Sequence, residues 1–485
     1  MKHLPFGVNL SGHLHSEKGV GEVSRCIVQA LTAAGIPYSL NDVRDPGSTN
    51  IDRRLPSGNG EHNPYSVNLL AFNAAGVAEF SRFHGREYFQ DRVNIGFWNW
   101  ELRDFPREWF PSFRLFDEIW VPSLFTAQAI AGVSPVPVRR IPLAVSAGEP
   151  STPVTREELG LQPDTFVFLF ALDFQSIVAR KNPSAVVEAF QRAFGKREDV
   201  ALVLKVIHPD ANPEVSQKLG SIEAEAPNIR IVDALFERSR MLGLLEMMDC
   251  YISLHRSEGF GLLMAEAMSI GKPVIATGYS GNMDFMTTEN SLLIDCDVMP
   301  IKEDHGPYFK GTVWADPDID HAATLMKRIT QSPDLASELG RRAAADIAVQ
   351  LAPDTIGQQI ARRLQDLAGQ LHPDQVAVSL RRLQEPPDIP LDNHRRLFSR
   401  LVRKIKSIVR RWHQATRQGQ FEFNVEVGDV ISRLSARVRR QEEQLRELQK
   451  QIEAQETEST ELANTSSGNP MAEGRATGTL HEESS

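Results

Sequence analysis

From its start to about residue 368 the chain alternates short apolar runs with amphipathic stretches and glycine-bearing loops. Phe6–Leu10, Ile36–Leu40, Val67–Phe72, Val93–Trp98, Ile119–Val121 and Val136–Leu143 read as strands, too short for helices and mostly bounded by turn-forming residues. A helix is expected from Glu22 to Ala34, with Gly35 as its stop. Asp45–Pro64 is rich in Pro, Gly, Asn and Ser and reads as a surface loop. A second series repeats the pattern: Phe166–Leu172, Val200–Ile207, Ile229–Val232, the apolar run Met247–Leu254, and Val274–Ala276, followed by helical segments from His321 to Ala368. Strands alternating with helices imply parallel sheets covered on both faces. The expected organisation is therefore α/β, with domains 1–145 and 166–368 joined by a Pro-, Ser- and Gly-rich linker at 146–165.

Beyond residue 368 the pattern changes. Residues 369–394 read as a second linker. In 395–413, Leu397, Leu401, Ile405, Ile408 and Trp412 recur at helical spacing among Arg and Lys residues. A basic amphipathic helix of this kind suits an anionic membrane surface; the plainer alternative is a helix packed on its own enzyme with a solvated basic face. In 425–455, Val427, Ile431, Leu434, Val438, Leu445, Leu448 and Ile452 step by three and four around a polar Gln441, a coiled-coil seam that calls for a second copy or a partner helix. Residues 456–485 are rich in Glu, Ser, Thr and Gly and are expected to be disordered.

The chain carries 53 basic against 63 acidic residues, a net charge of −10, which argues against a nucleic-acid-binding protein as a whole. Cys26, Cys250 and Cys296 have neither paired nor CxxC spacing, so no disulfide framework or zinc site is expected. No apolar run is long enough to span a bilayer and no signal peptide is evident. The expected location is cytoplasmic, with peripheral attachment to the inner face of the membrane through 395–413.

The chemistry concentrates between His255 and Thr277. A strand leads into Ser257-Glu258-Gly259-Phe260-Gly261, then a helix from Leu262 to Ile270 that Gly271 ends. Gly259 and Gly261 let backbone N–H groups approach a ligand, and the helix N-terminus behind them favours an anion. Glu266 sits among apolar residues, where a carboxylate needs a polar partner. Placed within the helix, it can reach a ribose diol beside a bound phosphate, while Glu258 faces whatever the phosphate carries. A helix Glu paired to a buried Arg is the plain alternative.

The order of residues decides for the ligand. Glu258 and Glu266, with GKPVIAT following, resemble the E-x7-E signature of the retaining family 4 (group 1) glycosyltransferases of bacterial type. The resemblance covers roughly Met1 to Ala368. It implies the GT-B fold, two Rossmann-like domains facing across a cleft, here with a helical and coiled-coil C-terminal extension. It also implies sugar transfer with retention, no required metal and no cofactor. By the same resemblance Glu266 holds the donor ribose, Glu258 lies by the sugar, and Gly259, Phe260, Gly261 and Leu262 meet the donor.

Other candidates follow from their positions. Arg180 and Lys181 sit in a strand-to-helix loop, where a fork and a point charge suit a pyrophosphate. Family members carry an Arg and, five residues later, a Lys; Lys181 fits the Lys, Ser176 stands at the Arg position, and Arg180 is the candidate replacement. Lys205 on its strand is a further donor candidate. Gly19 and Gly21 form a glycine loop that in the family lies near the donor phosphates and sugar; simple turn-making is the alternative. His13 and His15 in the same loop read as solvent-exposed. Glu101, after the aromatic strand end Phe97-Trp98-Asn99-Trp100, is the candidate catalytic carboxylate on the acceptor side, where many family members have a histidine. The expected partners are a nucleotide-sugar donor and a glycan or lipid-linked acceptor in bacterial cell-surface glycan assembly. A nucleotide-sugar epimerase on the same fold, or a scaffold derived from a transferase, are the competing classes.

Overall fold

The structure is a computed structural model and describes residues 4–56, 63–147 and 149–370. The basic helix at 395–413, the heptad seam at 425–455, the tail at 456–485 and nearly all of the linker at 369–394 lie outside the described residues.

The first half contains β1 (Val8–Gly12), α1 (Gly19–Ala33), β2 (Tyr38–Asp42), β3 (Val67–Ala71), α2 (Ala74–His84), β4 (Val93–Phe97), β5 (Glu118–Val121), α3 (Leu124–Ala131) and β6 (Val138–Arg140). Its strands form one six-stranded parallel sheet in the order β2-β1-β3-β4-β5-β6. The second half contains β7 (Phe166–Asp173), α4 (Val178–Lys181), α5 (Pro183–Phe194), β8 (Val200–Ile207), α6 (Pro213–Glu225), β9 (Ile229–Asp233), α7 (Arg238–Met247), β10 (Cys250–Ser253), α8 (Leu262–Ser269), β11 (Val274–Thr277) and β12 (Leu292–Ile294). These strands form a second six-stranded parallel sheet, ordered β12-β11-β10-β7-β8-β9. Every residue of β1, β3, β4, β10 and β11 is buried, as expected of strands covered on both faces.

The strand positions match the apolar runs with local shifts, except that the three-residue β12 (Leu292–Ile294) was not expected from the sequence. The first strand starts at Val8 because Phe6 is exposed, and the last strand of the first sheet shrinks to Val138–Arg140 between Pro137 and Pro142, whose nitrogens cannot donate to a ladder. The run Met247–Leu254 divides: Met247 ends α7 and only Cys250–Ser253 pair as a strand.

Two features lie outside the alternation. An antiparallel hairpin of β13 (Cys296–Pro300) and β14 (Val313–Pro317) follows the second sheet. Its Ile301, Tyr308 and Trp314 pack into the same buried cluster as Trp98, Trp100 and Phe113 of the first half. After α9 (Ile319–Gln331) and α10 (Pro333–Gln350), α11 (Pro353–Gln370) returns to pack against α1. There Arg363 Nε lies 3.0 Å from both carboxylate oxygens of the fully buried Glu118 on β5. The Val145 amide donates to the Leu351 carbonyl at 2.8 Å, so the chain's return is fastened at both levels.

Candidate functional site

In the second sheet the chain runs from β7 outward through β8 and β9, then returns to build β10, β11 and β12 on the other side. The loops after the adjacent β7 and β10 therefore part at the carboxyl edge, and a crevice opens where they do, the usual ligand position of an open α/β sheet. The first of these loops leads into α4 with Arg180 and Lys181; the second carries Glu258 to Gly261 into α8.

A cleft of about 1090 Å³ opens there. From the second half its wall includes Ser176, Arg180, Lys181, Lys205, Glu258, Gly259, Phe260, Gly261, Leu262 and Glu266. From the first half it includes Gly19, Asn73, Asn99 and Glu101. Gly21 lies behind that wall: a Cβ there would sit 2.0 Å from the Ser16 carbonyl oxygen, so its bare α-carbon serves the packing of the loop against α1. Gly261 caps α8 at φ +95°, a conformation open chiefly to glycine, and turns the helix N-terminus to the cleft.

The cations and the first glutamate meet. Glu258 Oε2 lies 3.0 Å from Arg180 Nη1, and Glu258 Oε1 lies 2.5 Å from Lys181 Nζ. Burial pushes the Glu258 carboxyl up, but the charges of Arg180 and Lys181 outweigh it and hold it at about 2. Arg180 also donates from Nη1 to the Ser257 carbonyl at 2.9 Å, while its Nε is buried without a hydrogen-bond partner.

The second glutamate does meet a buried arginine, as the plain alternative to the ligand reading had it, though the sequence did not say which one. Glu266 Oε1 lies 2.8 Å from Arg238 Nη1, at the start of α7, whereas Oε2 is buried with no hydrogen-bond partner. Nothing local separates Arg238 from its neighbour Arg240, which pairs with Glu158 on the surface instead. Lys205 is buried, donates to the Val206 carbonyl at 3.0 Å and to the Ala234 carbonyl, and stands 4.9 Å from the Phe236 ring centre. Burial lowers it to about 8, against the opposing pull of Asp233.

Glu101 stands where the halves touch. Its backbone carbonyl accepts from the Ser257 hydroxyl, and its side chain accepts from Tyr308 at 2.8 Å. Thr126 adds hydrogen bonds to the carbonyls of Trp100 and Gly259, at 2.8 and 3.3 Å. Trp98 and Trp100 are buried in the aromatic cluster, and Asn99 between them lines the cleft. His15 is buried rather than solvent-exposed, with Nδ1 3.0 Å from Asp42 and Nε2 3.2 Å from the Leu55 carbonyl. Among the described residues no group of three His, Cys, Asp or Glu is placed to hold a metal ion.

The comparisons with known proteins bear on the family and the fold. Residues 152–346 match the family model of glycosyl transferases group 1. The glycosyltransferase match spans the second half, from the segment before β7 into α10, and contains Arg180, Lys181, Glu258 and Glu266. Sucrose-phosphate synthase from Thermosynechococcus elongatus superposes with a TM-score of 0.54 at 17% identity, covering 75% of this chain and 100% of that one. HepE from Anabaena, solved with UDP and glucose, gives 0.53 at 14% identity over 74% of this chain and 100% of that one. A glycosyltransferase from Rickettsia africae gives 0.52 at 12% identity over 75% and 99%. The fold is the GT-B arrangement of two parallel sheets. No curated protein matches the chain in sequence.

Proposed function

We propose that the protein is a retaining, metal-independent glycosyltransferase that moves a sugar from a nucleotide-sugar donor to a hydroxyl of a glycan or lipid-linked acceptor, in bacterial cell-surface glycan assembly. The observation that carries this reading is the buried, unpartnered Oε2 of Glu266 in the wall of a cleft whose other end holds Arg180, Lys181 and the N-terminus of α8. A buried carboxylate oxygen without a donor costs about 1–3 kcal/mol, which a ribose hydroxyl would recover. The phosphates would then lie against the α8 N-terminus and the two cations.

In this arrangement the chemistry is electrostatic. As the bond to the sugar breaks, negative charge grows on the departing diphosphate, and Lys181, Arg180 and the Gly259–Gly261 backbone offset it without reorganising. Glu258 holds the two cations in place and lies by the sugar. Glu101 takes the acceptor side. The group 1 match supports the reaction class.

Uridine-, guanosine- and adenosine-diphosphate sugars, incubated with the protein in the presence of a chelator, test this directly. Release of nucleoside diphosphate with at least one donor, stimulated by a lipid-linked acceptor and giving a product with the donor's anomeric configuration, is the expected result. Absence of both binding and release across the panel contradicts it. The extension is proposed to attach the enzyme to an anionic membrane surface through 395–413 and to a second helix through 425–455, on the strength of its charge and heptad pattern. Co-sedimentation of the intact chain with anionic vesicles, weakening with salt, is expected; a monomer that ignores vesicles at low salt contradicts both assignments.

A further inference from the structure

The two oxygens of Glu266 differ. Oε1 is held by Arg238 at 2.8 Å, and Oε2 has no partner. Arg238 is itself fixed: its Nε lies 3.2 Å from Glu149 Oε2, and Glu149 Oε1 accepts from Gln29 of α1 at 3.0 Å. Arg238 is largely buried, as are both glutamates it faces, so these contacts act with little screening.

The charges around Glu266 make that contact decisive. Burial pushes its carboxyl up, and Glu22 of α1 and Glu149 push it up further; Arg238 pulls it down, and the balance stays above the ordinary carboxylate value. Cys26 of α1 and Tyr251 of β10 are the other titratable groups that sense it, and both are held neutral by burial. Glu22 has its own cations, Arg25 at 2.9 Å and Arg54 at 2.5 Å. Among the described residues Arg238 is the one cation within ion-pair distance of Glu266.

We propose that Arg238 is a positioning residue for donor recognition: by holding Oε1 it fixes the Glu266 carboxyl in the cleft wall and leaves Oε2 to accept from the vicinal diol of the donor's ribose. The proposal rests on the reading above that Glu266 meets a ribose, and adds the group that makes Glu266 competent to do so. Removing the guanidinium leaves a buried carboxylate among like charges, which takes up a proton and loses its preference for a hydroxyl donor.

Calorimetric titration of the intact chain with UDP, GDP and ADP, and with their 2′- and 3′-deoxy counterparts, tests it in the wild type, Arg238→Met and Arg238→Lys. The readout is the ratio of ribo to deoxy affinity, in which phosphate ionisation cancels. For whichever nucleotide binds, the wild type is expected to favour the ribo form about tenfold over at least one deoxy form. Arg238→Met should reduce that ratio to within about twofold at pH 6–7 and recover part of it as pH rises and Glu266 loses its proton. Arg238→Lys, which keeps the charge without the fork, should retain an intermediate ratio and carries the test if the Met variant does not fold. A wild-type ratio, independent of pH, in either variant overturns the role of Arg238 and leaves the ribose reading standing. A wild type that binds nucleotide without preferring the ribo form overturns the ribose reading and this proposal with it.

Discussion

Tyr308 and Glu101, 207 residues apart in the chain, share a 2.8 Å hydrogen bond. One belongs to the loop between the strands of the β13–β14 hairpin, the other to the loop after β4, so the contact joins the two halves beside the cleft. The ring of Tyr308 also meets Trp100 edge-on at 5.4 Å. Tyr308→Phe keeps the ring and removes the hydroxyl, so only the hydrogen bond to the carboxylate is lost. We expect a loss of about 1–2 kcal/mol in denaturant unfolding. An unchanged midpoint would show that the contact contributes nothing net.

Glu101→Gln retains an oxygen to accept from Tyr308 but removes the charge facing the cleft. Transfer to acceptor is expected to fall more than donor affinity does. Lost donor affinity in calorimetry, with normal stability, would move Glu101 to the donor side; normal transfer would leave it a structural role.

Lys181 and Arg180 share Glu258 but differ in setting, since Arg180 is almost wholly buried and Lys181 is partly open to the cleft. Lys181→Ala is expected to fold and to lose on the order of 10²–10³ in turnover at saturating donor, the scale of removing one group that stabilises transition-state charge. Arg180→Ala is expected to destabilise the fold by about 3–5 kcal/mol, because it breaks a buried pair. Steady-state kinetics and thermal unfolding of the two variants separate these outcomes; equal effects on turnover and stability in both would contradict the distinction.

Acid should act through Glu258. Its carboxyl lies at about 2 in the folded protein, against an ordinary value of 4.5. A depressed value contributes stability that is present above about 4.5 and is lost as pH falls toward 2, a contribution of about 3 kcal/mol at most. Urea unfolding of wild type and Glu258→Gln from pH 7 to 3 should show the variant losing less stability across the acid limb. Parallel limbs would mean that the ion pairs with Arg180 and Lys181 carry no net stability.

Gly19 and Gly21, expected in a loop but found in the first turn of α1, should respond oppositely. A Cβ at Gly19 meets nothing within 4 Å, whereas one at Gly21 would lie 2.0 Å from the Ser16 carbonyl oxygen. Gly19→Ala should leave the melting temperature within a degree or two, and Gly21→Ala should cost about 2 kcal/mol or more through forced backbone movement. Similar melting temperatures for both would remove the packing explanation for Gly21.

What could be read from the sequence is what local pattern encodes. The strands of the two sheets other than β12 (Leu292–Ile294) were visible because each overlaps a short apolar run, β12 was missed at only three residues long, and the 257–261 loop was visible because its glycines, its glutamate and the helix stop at Gly271 fall together in the chain. Lys181, Arg180, Glu258 and Glu266 line one cleft. Arg238, Tyr308 and Arg363 were not visible, because each matters through a partner distant in sequence. An Arg beginning a helix looks the same whether it pairs with buried Glu266 or, like Arg240, with Glu158 on the surface. The burial of His15 likewise depends on Asp42 and the Leu55 carbonyl, supplied by other segments.

A crystal structure of the intact chain with a bound nucleoside diphosphate tests the proposed site most directly. The expected result places a ribose hydroxyl within hydrogen-bond distance of Glu266 Oε2, with Arg238 still on Oε1, and the diphosphate between Lys181 and the N-terminus of α8. A nucleotide bound with its ribose away from Glu266, or with its phosphates away from Lys181 and Gly259–Gly261, would contradict it.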